Sequence, residues 1–256
     1  MAPLAVSRRL GHASLQTTSE IYGGLMPSVE EAAVSAITVA MGGDSSRVVS
    51  VEEAVPVVIP VRREPSHGAF ATGTEEAAYW CGWFAVAGRW DASRVTVEFA
   101  ERDRGHLARF NVFAGLVSPN DPAAGYVGVR GFGRLLRLTI SSARMADDLE
   151  LSTGGRLMDD RHFWRGVVDG AGWAGLVNGA PRLQVIGSLK LVNGLIYFLK
   201  RNGVMVFAQP RPIKLQYRVQ LSGRTATAAA DVLYRQSSSS LSRRRVVVDE
   251  WLERAR

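Results

Sequence analysis

Phe163-Trp164-Arg165-Gly166-Val167-Val168-Asp169-Gly170-Ala171-Gly172-Trp173 reads as an apolar helix with small residues along one side. Gly166, Asp169 and Gly170 stand at i, i+3 and i+4, so they share one helix face. Each glycine inside a helix costs about 1 kcal/mol relative to alanine, a cost tolerated mainly where a second backbone must come close. A similar stretch lies 84 residues earlier, Tyr79-Trp80-Cys81-Gly82-Trp83-Phe84-Ala85-Val86-Ala87-Gly88-Arg89, with Ala78, Gly82 and Ala85 as its small face. Two such helices in one chain predict a pair packed against each other at the centre of a duplicated domain.

The sequence on either side repeats in the same order. After the second helix, residues 172–177 and 181–186 form a hairpin around Asn178-Gly179, a strong short hairpin signal. Ser188 caps a helix carrying Leu191, Leu195, Phe198 and Leu199, and Asn202-Gly203 ends it. Strands at 204–208 and 215–221 follow, then a helix over 225–234 and a basic one over 241–254. In the first copy a strand at 94–99 alternates cleanly, and 101–116 has helical spacing. Residues 125–130 and 134–140 read as a hairpin, and a helix over 141–151 begins at a serine cap. This order predicts an α+β fold made of two αββαββα halves related by a pseudo-two-fold. The first repeat is placed at 74–155 and the second at 156–256, preceded by a helical appendage at 1–42 and a linker at 43–73.

Of the 256 residues, 46% are hydrophobic and 21% charged, as in an ordinary globular protein. No run reaches the roughly 18 apolar residues of a membrane span, and residues 1–9 lack the apolar core of a signal peptide. The single cysteine, Cys81, excludes an internal disulfide framework and a cysteine-based zinc site. Within an apolar helix it reads as a small buried hydrophobe. These features predict a cytoplasmic protein with no membrane partner. Net charge is +7, and Lys190, Lys200 and Lys214 are the only lysines among 31 basic residues. An arginine-borne excess with a sequence pI near 10.1 suits nucleic acid, through phosphate contacts and counterion release.

Within the appendage, Leu10-Gly11-His12 followed by Tyr22 ten residues later resembles the C-terminal end of tyrosine recombinases of the phage integrase type. The resemblance implies that His12 would assist transition-state charge and that Tyr22 would attack a DNA phosphate. The family's active site also needs two arginines, a lysine and a further histidine from upstream, and only eleven residues precede His12. His12 and Tyr22 are therefore expected to be non-functional.

The paired glycine helices carry the second resemblance. His162-Phe163-Trp164-Arg165-Gly166-Val167-Val168-Asp169-Gly170-Ala171-Gly172 is similar to the signature helix of the LAGLIDADG homing endonucleases. Val185 to Lys190, Tyr217 to Gly223, and Leu233-Tyr234 before Leu241-Ser242-Arg243-Arg244 resemble the family's later motifs, so the likeness spans about residues 75–255. It implies a pseudo-dimer within one chain, hence a monomer, that hydrolyses duplex DNA with divalent cations. Those cations are held by an acid at the end of each signature helix, and strands form a saddle over the DNA.

Carried onto this chain, the acid positions are Ala87 and Ala171, which bind no magnesium. Asp169 matches an earlier aspartate of the signature and is a weak substitute. The resemblance thus implies a DNA-binding protein with impaired or lost cleavage, no cofactor, and Mg2+ only if nuclease activity remains. Alternatives are a residually active endonuclease, an intron maturase binding RNA, or a remnant of an integrase gene. Candidate DNA contacts are Arg89, Arg94, Arg182 and Lys214, basic residues on or beside saddle strands. The first hairpin is expected to be short, and Arg243-Arg244-Arg245 reads as a solvated charge run.

Overall fold

The computed structural model describes residues 64–118, 129–132 and 135–255. The recombinase-like segment with His12 and Tyr22, and the linker up to residue 63, lie outside them. Each half begins with a glycine-bearing helix. The first runs α1 (Glu75–Ala87), β1 (Gly88–Trp90), β2 (Arg94–Ala100), α2 (Arg104–Phe113), β3 (Val129–Phe132), β4 (Leu135–Ser141), α3 (Ala143–Leu151). The second runs α4 (Arg161–Ala171), β5 (Gly172–Val177), β6 (Ala180–Gly187), α5 (Leu189–Arg201), β7 (Arg211–Ile213), β8 (Gln216–Ser222), α6 (Arg224–Tyr234), and a further helix, α7 (Ser242–Arg254), follows. The sheets are antiparallel with matching orders, β1-β2-β4-β3 and β5-β6-β8-β7. The protein is thus a duplicated α+β fold.

The glycines set the relation between α1 and α4. A Cβ on Gly82 would stand 1.9 Å from the Phe163 carbonyl oxygen, and one on Gly166 would stand 1.9 Å from that of Tyr79. Tyr79 and Phe163, like Gly82 and Gly166, are 84 residues apart in sequence, so each contact is the symmetry image of the other. Gly170 meets its own equivalent, Val86, whose Cγ2 would lie 2.6 Å from an added Cβ. Early residues meet early residues and late meet late, so the two helices run side by side in the same direction about a pseudo-two-fold. Only an absent side chain lets two backbones approach this closely.

Each helix starts at a side-chain cap, Thr74 for α1 and Asp160 for α4, and ends where a glycine turns directly into a strand. The helices cover one face of each sheet. Trp80, Trp83, Phe84, Phe99 and Phe110 fill the first half's interior, and Phe163, Trp164, Phe198 and Leu199 the second's. The 178–179 hairpin turn is as predicted, with Asn178 at φ +51° and Gly179 at φ +75°, the pair of positive angles a type I′ turn requires.

Several predicted bounds shift. Residues 204–208 form no strand, although Val204 and Val206 are buried while Met205 and Phe207 are 75% and 83% exposed. The alternation is real, but both edges of β8 are already taken, by β6 and β7. The 101–116 helix begins as a 3-10 turn, Glu101–Asp103, and is α-helical only over Arg104–Phe113, with Gly115 at φ +73° just beyond. Strand β3 continues to Phe132, into the turn predicted at 131–133. Ser141 ends β4, and the cap of α3 is Ser142, whose hydroxyl accepts from the Met145 amide. Residues 64–73 pack on the first half rather than bridging to it. Phe70 is buried against Phe84 and Phe113, and His67 Nδ1 lies 2.8 Å from Ser142 Oγ. Among the described residues no helix is long and apolar enough to cross a membrane.

Candidate nucleic-acid interface

Because α1 and α4 run in the same direction, their C-termini lie at the same end of the molecule. Ala87 and Ala171 are their last residues, both half-buried. A helix C-terminus exposes carbonyl oxygens and the negative end of the macrodipole, so it draws positive charge. In the second half that charge is an arginine. The buried Arg244 guanidinium donates to the Val168 carbonyl and, at 2.6 Å, to that of Gly172. A divalent cation would need carboxylate ligands here and would have to sit beside this guanidinium. The residues present do not fit it, since both helix-end side chains are methyl groups. Nor does any group of three His, Cys, Asp or Glu among the described residues fit a metal ion.

Asp169 is taken up by the packing of the two halves. Its carboxylate is buried between the halves and accepts from Tyr79 Oη at 3.0 Å, Tyr234 Oη at 2.6 Å and the Leu241 amide at 2.7 Å, with Arg244 3.6 Å away. Burial raises its pKa, against the pull of Arg244 and the three donors. Burial and the nearby carboxylate hold both tyrosines well above their ordinary range, so they remain donors. The geometry gives Asp169 a role at the helix interface, with every polar neighbour a donor.

His106 extends this network into the first half. Its Nε2 lies 2.8 Å from Tyr79 Oη, and since that hydroxyl donates to Asp169, Nε2 carries the proton. Trp80 and Trp83 flank the ring, with centroids 4.7 Å away. Burial, aided by Arg109, Arg243 and Arg244, lowers its pKa from 6.5 to about 3. The folded state refuses a proton that the unfolded chain accepts below pH 6.5. Its contribution to stability is therefore complete above pH 6.5 and is lost as pH falls toward 3, by about 1.4 kcal/mol per unit. Denaturant melts at pH 7 and pH 4.5 are expected to show this fall, and His106→Phe to shrink it. An unchanged pH difference in the variant would contradict the assignment.

The Arg243-Arg244-Arg245 run is not a solvated patch. Arg243 bridges to Asp103 at 2.8 and 3.1 Å, Arg244 covers the end of α4, and Arg245 donates to the Tyr234 carbonyl at 2.6 Å and Asp249 at 2.8 Å. The preceding serines are held from both halves. Glu75 accepts from the Ser238 and Ser239 amides, and Arg109 donates to the Ser238 and Ser240 carbonyls. The fully buried Arg165 donates to the Ser239 and Leu233 carbonyls and to Glu75. Sequence reading missed this clasp; an arginine in the middle of an apolar helix was its one visible sign.

The sheet faces turned away from the helices carry the basic side chains. On the first sheet Arg89 lies opposite Thr96, and Arg94 lies opposite Ser141. On the second, Arg182 lies opposite Ser222, and Lys214 sits in the β7–β8 turn at φ +55°. The four predicted contacts thus divide between two sheets. Unpredicted neighbours on the second sheet are Arg211 and Arg218, which face each other, and Gln184 opposite Gln220. Strands β1 and β5 begin directly at the ends of α1 and α4, so the two sheets start from the same end of the molecule as two wings. The wings differ in reach. Strand β1 has three residues, as the short first hairpin predicts, and β5 has six.

The chain is similar in fold to a solved meganuclease, I-SmaMI bound to uncleaveable DNA with a TTCT central four. The TM-score is 0.47 and the identity 9%, over 69% of this chain and 88% of that one. No protein-family model matches the sequence, and no curated protein matches it significantly.

Proposed function

We propose that this chain is a duplex-DNA-binding protein of the LAGLIDADG homing-endonuclease type that grips its target without hydrolysing it. The observation that carries the reading is the pair of parallel helix ends between two basic sheet faces, with Ala87 and Ala171 where cutting would need carboxylates and Arg244 over the second end. A twisted antiparallel ribbon fits the major groove, and arginines on both wings suit two phosphate backbones. With alanine at both helix ends, neither offers a carboxylate there to hold a cation or activate water, so binding is separated from chemistry.

Electrostatic attachment of this kind is salt-dependent. With about six phosphate contacts, affinity for duplex DNA is expected to fall roughly a thousandfold between 50 and 200 mM salt. Arg94→Ala is expected to make the log–log slope shallower by about one. Filter-binding isotherms across a salt series test this. Tighter binding to structured RNA than to duplex DNA would favour an RNA-processing role, and absence of binding to either would overturn the proposal.

A further inference from the structure

The two wings repeat one topology, but their cross-strand side chains are paired differently. On the first sheet the central outer side chains of the equivalent strands β2 and β4 pair with each other. Thr96 Oγ1 lies 3.2 Å from Thr139 Oγ1, its register partner, and Arg137 Nε donates at 2.8 Å to Glu98, also its register partner. On the second sheet, β6 and β8 set Gln184 opposite Gln220 and Arg182 opposite Ser222, with Arg218 further along the same face. The side chains of Arg182, Gln184, Arg218 and Gln220 make no hydrogen bond among the described residues. Strands β5 to β8 contain no acid, whereas β2 carries Glu98 on its outer face.

We infer that base-sequence recognition resides in the second sheet, through Arg182, Gln184, Arg218 and Gln220, and that the first sheet anchors phosphates with little base preference. This rests on the duplex-DNA reading above and goes beyond it, because a duplicated fold alone would lead to two equally specified half-sites. Amide side chains pair bidentately with adenine N6 and N7, and guanidinium groups with guanine O6 and N7. Residues i and i+2 on one strand face are roughly 6.7 Å apart, about two base steps. Arg182 and Gln184 on β6, with Gln220 and Arg218 on β8, therefore form a grid whose free donors and acceptors match base edges. On the first sheet, Thr96, Thr139 and Arg137, the register equivalents of Gln184, Gln220 and Arg218, already have partners in the protein, and Arg94, the equivalent of Arg182, is left for phosphate beside the acidic Glu98.

The experiment is selection of bound sequences from a pool of random duplexes by the full chain. One continuous block of preferred purine-rich bases, on one side of a near-random flank, is the expected result. The double variant Gln184→Ala, Gln220→Ala is expected to flatten that block by roughly tenfold or more per lost amide contact, while binding to the unselected pool is little changed. Thr96→Ala with Thr139→Ala, in the first sheet, is expected to leave the block as it was. Two mirror-related blocks of equal strength, or a block unmoved by the glutamine variant, would overturn the inference and leave DNA binding standing. Failure to bind any duplex would overturn the DNA-binding reading, and this with it.

Discussion

Gly166→Ala is expected to destabilise the fold by about 3–5 kcal/mol, beyond the usual range for adding one methyl group. On helix propensity alone the substitution should help by about 1 kcal/mol. The added Cβ would stand 1.9 Å from the Tyr79 carbonyl oxygen and 2.8 Å from the Trp83 amide nitrogen, and neither is the movable end of a side chain. The helices must separate, and the pseudo-two-fold loses one of its two closest contacts. Gly105→Ala is the control. It lies on the exposed side of α2 with nothing within 4 Å of an added Cβ, so it is expected to stabilise by about 0.5–1 kcal/mol. Opposite signs for the same chemical change, read from urea midpoints, would locate the cost in the helix pair. Equal signs would mean that the helices are not packed backbone to backbone.

Asp169→Asn is the second large effect, an expected loss of about 3–5 kcal/mol. The substitution keeps shape and volume and removes only the charge. It points an amide group at a site where Tyr79, Tyr234 and the Leu241 amide all donate, and the Leu241 N–H has no rotor with which to adapt. It also leaves the Arg244 guanidinium buried without its anion. A fall in Tm on the order of 10 °C follows. Tyr79→Phe, which removes one donor and leaves the charges intact, is expected to cost only about 1–2 kcal/mol. An Asp169→Asn protein as stable as its parent would mean that the carboxylate is not holding the halves together.

The helix pair was legible because glycine at i and i+4 inside an otherwise apolar helix has few other uses, and because the pattern occurs twice at a fixed interval. The 178–179 hairpin was legible from two residues whose φ angles are nearly dictated. Strand pairing was less so: 204–208 alternates like a strand, but whether an edge is free to receive it depends on β7, far along the sheet. The fate of Arg243 to Arg245 was hidden for the same reason. A charge run looks solvated until tertiary structure brings Asp103, the end of α4 and the Tyr234 carbonyl to it. The helix-end alanines could be placed from sequence through the resemblance, whereas Arg244 above the second of them, 73 residues later in the chain, could not.

The most direct measurement of metal-free grip is the affinity of the full chain for a selected duplex, taken once in EDTA and once in excess Mg2+, with strand integrity followed on a denaturing gel. Equal affinity in the two buffers, with both strands intact after prolonged incubation, is the predicted result. Cut strands in Mg2+, or binding that appears only when the cation is added, would contradict it.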